Sequence, residues 1–159
     1  MNWDSKRRNT VSVCQVAHPN AEIMSVDLPY DRWGEGYAVW RVPVYRRFAR
    51  RQQTIHLFRG NSHTPEMLER VRKALGNQPL DALFIDGDHS YEGVKMDFET
   101  YGPLVGKGGM IAFHDIVENN NLRFQVHRFW NEVKQKYRHI ELVNELNQKG
   151  YGIGVLYVD

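Results

Sequence analysis

The sequence predicts an α/β fold: a mostly parallel sheet with helices on both faces and a closing antiparallel hairpin. Three observations carry that expectation. Short runs rich in Ile, Val, Leu and Phe alternate with segments of helical periodicity. Two of the runs, 81–86 and 109–115, are nearly continuous in apolar residues, the pattern of parallel strands covered on both faces. The last two runs stand too close for a crossover helix, so they pair antiparallel.

The elements follow in chain order. Residues 10–17, TVSVCQVA, are ambiguous. Val11 and Val13 alternate like a strand, while Val13, Val16 and Ala17 fit a helix face. A parallel crossover needs about a dozen residues or more, and fewer separate this stretch from the next strand. It is therefore a helix feeding that strand or an antiparallel partner of it, and helix is favoured. EIMSVDL (22–28) reads as the first strand. The aromatic, glycine-rich YDRWGEGYAVW (30–40) is placed to act as a lid or as an ordinary packed loop. In WRVPVYRRFARR (40–51), Arg46, Arg47, Arg50 and Arg51 would form one basic stripe on a helix. A solvated face is the first reading of that stripe, and a grip on an acidic or phosphate-bearing substrate the second.

TIHLFRG (54–60) is the second strand. Residues 64–75 follow as a helix, with Thr64 as N-cap, Pro65 at the first helical position and Glu66 in the first turn. Its Met67, Val71 and Leu75 repeat on one face. DALFID (81–86) is the third strand. A helix over 90–101 is capped by Ser90 and stopped by GPLVGKGG. GMIAFHD (109–115) is the fourth strand. Residues 122–137 put Leu122, Val126, Phe129, Trp130 and Val133 on one helix face. HIELVNEL (139–146) and GIGVLYV (152–158), joined by a turn near Gln148–Gly150, form the hairpin.

With 159 residues the chain has the length of one domain, 1–159, able to bury a core. At 42% apolar and 25% charged it reads as globular, with no repeat or low-complexity linker. A net charge of +2 is too mild to select nucleic acid or an anionic membrane as partner. The one cysteine, Cys14, makes no internal disulfide and suits a reducing compartment. No apolar run approaches the ~20 residues that span a bilayer, and no apolar signal core follows MNWDSKRRNT. The expectation is a cytoplasmic protein. Zinc-type Cys/His spacing, a P-loop and Gly-x-Ser-x-Gly are absent from the sequence.

Ligands of open α/β sheets bind beyond the carboxyl ends of the strands. There the four consecutive strands deliver Asp27, then Gly60 to His63, then Asp86-Gly87-Asp88-His89, then His114-Asp115. An acid ending the first of these can accept two hydrogen bonds from ribose hydroxyls. Asp86, Asp88, His114 and Asp115 can converge on a divalent cation. Oxygen ligands suit Mg²⁺ or Ca²⁺, and an added imidazole admits Mn²⁺, Fe²⁺ or Zn²⁺. Each residue also has a plain structural use. Asp27 can cap a turn, Asp88 or Ser90 can cap the following helix, and His114 can be a satisfied, partly buried histidine. Four polar strand ends on one rim favour a ligand site over structure alone.

With these residues in view, the chain resembles the class I S-adenosylmethionine (SAM)-dependent methyltransferases. It is most similar to the branch of cephalosporin-hydroxylase-like and small-molecule O-methyltransferases. SVDLP (25–29), FRGNSH (58–63), LFIDGDHSYEGVKMDFETYGPLVGKGGMIAFHDI (83–116) and the terminal GYGIGVLYV carry the resemblance. It implies a Rossmann-like fold and methyl transfer from SAM to a small-molecule hydroxyl, with Mg²⁺ or another divalent cation as an assistant. Asp27 would bind the SAM ribose, and Asn61 and Ser62 would lie near the adenine. Asp86, with Asp88 and His89 beside it, would face the cofactor or a metal. His114 and Asp115 match a metal-ligand pair that is commonly acidic or amide in the family, so His114 departs from the pattern. No residue is assigned as catalytic.

The family opens with a strand and a glycine-rich loop against the methionine part of SAM, whereas the first glycine here is Gly34. The expectation is an N-terminally shortened fold with a gap between the 22–28 and 81–86 strands and unpaired edges there. N-terminal residues could fill the gap, or a homo-oligomer could cover it. Alternatively the chain is a repurposed module that has lost SAM binding and acts by binding or oligomerisation. A metal-dependent hydrolase on the acidic rim is a third class.

Overall fold

The computed structural model describes residues 12–29, 38–145 and 149–159. It divides into two compact units, Met1–Val71 and Arg72–Asp159.

In the first unit, residues 12–16 are helical (α1), which resolves the ambiguous segment; residues 10 and 11 lie outside the described residues. The buried face differs from the expected one. Cys14 is the residue that packs with Ile23 and Ile55, while Val16 is 85% exposed. The helix is only about a turn long, so its single inward position goes to the small, apolar thiol. Strands β1 (Glu22–Asp27) and β2 (Thr54–Arg59) pair in parallel, Glu22 opposite Thr54 through to Asp27 opposite Arg59. Between them run a 3₁₀ turn (Val39–Arg41) and α2 (Val42–Arg46). Because α2 ends at Arg46 and the chain passes into turns with Arg51 at φ 54, the four arginines do not form one helical stripe. Residues 30–37 of the expected lid or loop lie outside the described residues. Helix α3 (Pro65–Leu75) begins as expected, the Thr64 hydroxyl accepting the Met67 N–H at 3.3 Å. It stops at Gly76, whose φ of 61 suits the left-handed C-cap position.

The second unit is a four-stranded sheet in the order β3-β4-β6-β5, formed by β3 (Leu80–Ile85), β4 (Val105–His114), β5 (Arg138–Leu142) and β6 (Ile153–Tyr157). β3 and β4 run parallel, and β6 pairs antiparallel with both β4 and β5, the expected closing hairpin. Helix α4 (Tyr91–Tyr101) links the parallel pair; the Ser90 hydroxyl caps it, accepting the Gly93 N–H at 3.0 Å. Helix α5 (Val126–Val133) is shorter than the expected 122–137, and Leu122, placed on its apolar face from sequence, is 88% exposed. Asn121 is the reason. Its side chain accepts the Arg123 N–H at 3.1 Å and its carbonyl the Phe124 N–H at 2.9 Å, a local turn that competes with helix.

Strand alternation sorts the sheet into two faces. Ile85, Ile111, Phe113, Gly154 and Leu156 face the α4 and α5 side and form the core with Val94, Phe129 and Trp130. The opposite face differs from the expectation of full cover, with Phe84 and Met110 40% and 42% exposed. Both described helices that join these strands lie on the first face. Among the described residues β1 pairs only with β2, and β3 only with β4. No helix among them is long and apolar enough to cross a membrane.

Candidate functional site

In the first unit, β1 and β2 end together. Asp27 closes β1 and its carbonyl accepts the Gly60 N–H at 2.9 Å, so the turn after β2 starts beside it. The Asp27 carboxylate accepts the Leu28 N–H at 2.9 Å, which fixes the side chain at the strand end. Asn61 is committed to local structure: its side-chain oxygen accepts the His63 N–H at 2.9 Å and its carbonyl the Thr64 hydroxyl at 3.1 Å. Ser62, half-buried, is the next residue of that turn. A carboxylate and small polar residues at adjoining strand ends have the donor and acceptor chemistry that suits a nucleoside.

In the second unit, the ends of β3 and β4 bring Asp86, His114 and Asp115 together, with one ligand atom from each lying within 4.8 Å of the others. Parallel register is the cause: Ile85 stands opposite Phe113, so the residues that follow leave the sheet side by side. His114 Nδ1 is 3.4 Å from Asp86 Oδ1 and 3.1 Å from Asp115 Oδ1. It is buried and makes no well-aligned hydrogen bond among the described residues. A buried imidazole nitrogen facing two carboxylates without a good hydrogen bond fits a cation ligand better than a satisfied core histidine. Asp115 adopts φ 62, a strained conformation for a non-glycine residue. It is held there by two bonds at the same place. Its N–H donates to the Gly152 carbonyl at 3.0 Å, and the backbone at Tyr151 donates to its carboxylate.

His89 locks the pair of acids from behind. Its ring, 10% exposed, sets Nε2 3.3 Å from Asp86 Oδ1 and Nδ1 3.3 Å from Asp115 Oδ2. Phe124 packs edge-on against the ring at 4.8 Å, and the Gln125 N–H donates to the His89 carbonyl at 2.7 Å. Sequence reading counted His89 among the cofactor-binding residues. The structure turns its ring to the two carboxylates.

Asp88 stands apart from this group. Its carboxylate accepts the Ser90 N–H at 2.9 Å and lies over Gly93, the start of α4. That is the capping use of an acid at a helix N-terminus. A Cβ at Gly93 would overlap the Asp88 carboxyl, so Gly93→Ala is expected to cost about 1–3 kcal/mol in chemical denaturation. A neutral result would mean that Asp88 is free to swing away.

Two residues were not foreseen. Phe124 fell inside a segment read as helix, which hid its role against His89. Asp97 is buried beneath the Asp86–His89 turn, with its Oδ2 3.0 Å from where a Gly87 Cβ would stand. Its signal was available: an acid three residues after Val94 on the inward side of α4. Asp97 also helps burial push the Tyr101 phenol up to about 12.

Electrostatics follow from the crowding. The adjoining Asp115 carboxylate raises the His114 pKa above its ordinary 6.5; burial opposes this, and Asp86 adds to it. For Asp115, burial pushes the carboxyl up. The adjoining His114 imidazole, the charge of His89 and the Tyr151 backbone outweigh that and hold it below its ordinary value. A cation must displace the His114 proton, so its affinity is expected to rise with pH and level off above the raised pKa. Below that pKa it should fall about tenfold per pH unit. Mn²⁺ titrations across pH 5 to 9 read this slope, and a flat profile would remove His114 from the ligand set. Stability of the metal-free chain carries the opposite sign. The raised pKa contributes stability below the unfolded value and loses it as pH climbs through the folded one.

Comparison with known proteins adds to this geometry. Residues 8–116 match the sequence model of a methyltransferase domain. An uncharacterised protein of Acanthamoeba polyphaga mimivirus is 56% identical over 36 residues, 23% of this chain and 16% of the viral protein. Among solved structures, the O-methyltransferase TomG from Streptomyces achromogenes, in complex with SAM, superposes with a TM-score of 0.57 at 12% identity. The match covers 100% of this chain and 82% of that one. The O-methyltransferase from Bacillus cereus, in complex with S-adenosylhomocysteine (SAH), gives 0.57 at 15% identity, covering 99% and 82%. At such identities the likeness is one of fold, and the fold is Rossmann-like.

Proposed function

The chain belongs to the methyltransferase-domain family, and on that premise we propose that it transfers a methyl group from SAM to the hydroxyl of a small molecule, assisted by a divalent cation. The observation that carries the reading is the meeting of Asp86, His114 and Asp115 at the ends of β3 and β4, in a chain of this family. The structural relatives named above are O-methyltransferases, one with SAM and one with SAH bound, which supports the choice of cofactor and of oxygen as acceptor.

Asp27 would hold the ribose, with Asn61 and Ser62 lining the adenine side. Asp86, His114 and Asp115 would hold the cation. SAM supplies an electrophilic methyl carbon on sulfur. A divalent cation lowers the pKa of a hydroxyl bound to it. The chain's own contribution is placement, which dominates catalysis of an in-line displacement. The two carboxylates give a fixed negative site for the cation and acceptor. His89, braced by Phe124, keeps those carboxylates at a set separation.

Methyl-labelled SAM incubated with the chain, Mg²⁺ or Mn²⁺ and a panel of catechol, phenol and sugar acceptors tests the reading. Labelled ether product that disappears with a chelator is the expected result. SAM binding without any product, or product indifferent to the chelator, would remove the metal-assisted O-methyl transfer. A folded chain that binds no SAM would instead favour a repurposed module on the same fold.

A further inference from the structure

A groove in the first unit lies away from the strand ends. It has a volume of about 480 Å³ and is lined by Arg46 and Ala49, by Arg70, and by the five consecutive residues 54–58 of β2. Successive strand residues point to opposite faces of a sheet. A cavity touched by five in a row therefore lies along the strand's edge, not on a face.

That edge carries unused hydrogen-bonding groups. The Thr54 N–H donates to Ala21 at 3.1 Å and the Gly60 N–H to Asp27 at 2.9 Å, so the even-numbered residues of β2 address β1. Ile55 and Leu57 then direct their N–H and C=O away from β1, and among the described residues no strand takes them. Exposed edges of this kind are templates for an added strand.

Charge decides what fits. Arg70 stands over the Phe58 ring at 5.3 Å, and Arg46 also lines the groove. Among the described residues no carboxylate lines the groove, and Glu22 stands 3.6 Å from the His56 ring. A second copy would bring arginine against arginine. We infer that the outer edge of β2 binds an extended acidic peptide segment of a partner protein. The segment adds as a strand on Ile55 and Leu57, with its carboxylates on Arg46 and Arg70. Five strand residues span about 17 Å, which sets the segment at five or six residues.

The probe is a capped hexapeptide of alternating Glu and Val, titrated into the full ¹⁵N-labelled chain at low salt. Saturable binding is expected, with the Ile55 and Leu57 amides shifted and slowed in hydrogen exchange. Arg46→Ala and Arg70→Ala should each weaken it about three- to fivefold. The same peptide N-methylated at alternate residues keeps its charge but cannot complete the ladder, and should bind about tenfold more weakly or worse. Four outcomes overturn the inference: no binding, equal binding by the N-methylated peptide, unmoved Ile55 and Leu57 amides, or pairing of β2 with β2 of a second copy.

Discussion

Asp115→Asn is expected to lower divalent-cation affinity at least about a hundredfold while leaving the fold intact. The substitution is chosen for the backbone. Asp115 sits at φ 62, a region that asparagine tolerates and alanine does not. The exchange removes charge and little else, so a lost cation cannot be blamed on a collapsed turn. Asp86→Ala and His114→Ala should lose affinity in the same range, because each removes one of three groups that meet within 4.8 Å. Asp88→Ala gives the contrast. Its carboxylate is spent on the Ser90 N–H, so cation affinity should hold within about twofold, while stability falls by about 1 kcal/mol. Mn²⁺ titration of the four variants, with thermal melts alongside, reads both quantities. If Asp88→Ala matched the other three, the ligand set drawn here would be wrong.

Trp130→Ala should lower the unfolding free energy by about 3–5 kcal/mol, a large share of a typical domain's stability. Trp130 is nearly inaccessible and joins three parts of the second unit. Its ring packs at 5.6 Å from Phe113 on β4 and at 5.8 Å from His139 on β5. Its Nε1 donates to Glu141 Oε1 at 2.6 Å, and Lys134 Nζ reaches the same oxygen at 2.7 Å. The ring also lies flush on β6: a Cβ at Gly154 would stand 2.6 Å from it. The seat has room for indole because glycine is opposite, so truncation leaves a cavity that rigid strands cannot fill. Urea denaturation should show a lower midpoint at unchanged slope. A loss under about 1 kcal/mol would mean that α5 is not the keystone of this core.

These two sets of residues differ in how far the sequence foretold them. Trp130 was placed on the inward face of its helix by spacing alone, since apolar periodicity and burial are the same signal. The order of elements was legible for the same reason. What periodicity cannot see is a local side chain competing for the backbone. Asn121 delayed the start of α5 by four residues, and the break after Arg46 scattered the arginine stripe. At the rim, Asp86, His114 and Asp115 were foreseen as strand-end residues, because the carboxyl ends of parallel strands share one edge. Asp88 stands two residues past Asp86, and only the angle of the turn separates a ligand from a cap. The contacts that tie His89 to Asp115, and Phe124 to His89, join segments far apart in sequence. No local pattern encodes them.

Calorimetric titration of the folded chain with SAM tests the methyltransferase assignment most directly. Saturable binding of one SAM per chain is expected, competed by SAH and weakened about tenfold or more by Asp27→Ala, which removes the two acceptors proposed for the ribose. A chain that stays folded by circular dichroism and gives no heat at millimolar SAM would contradict it.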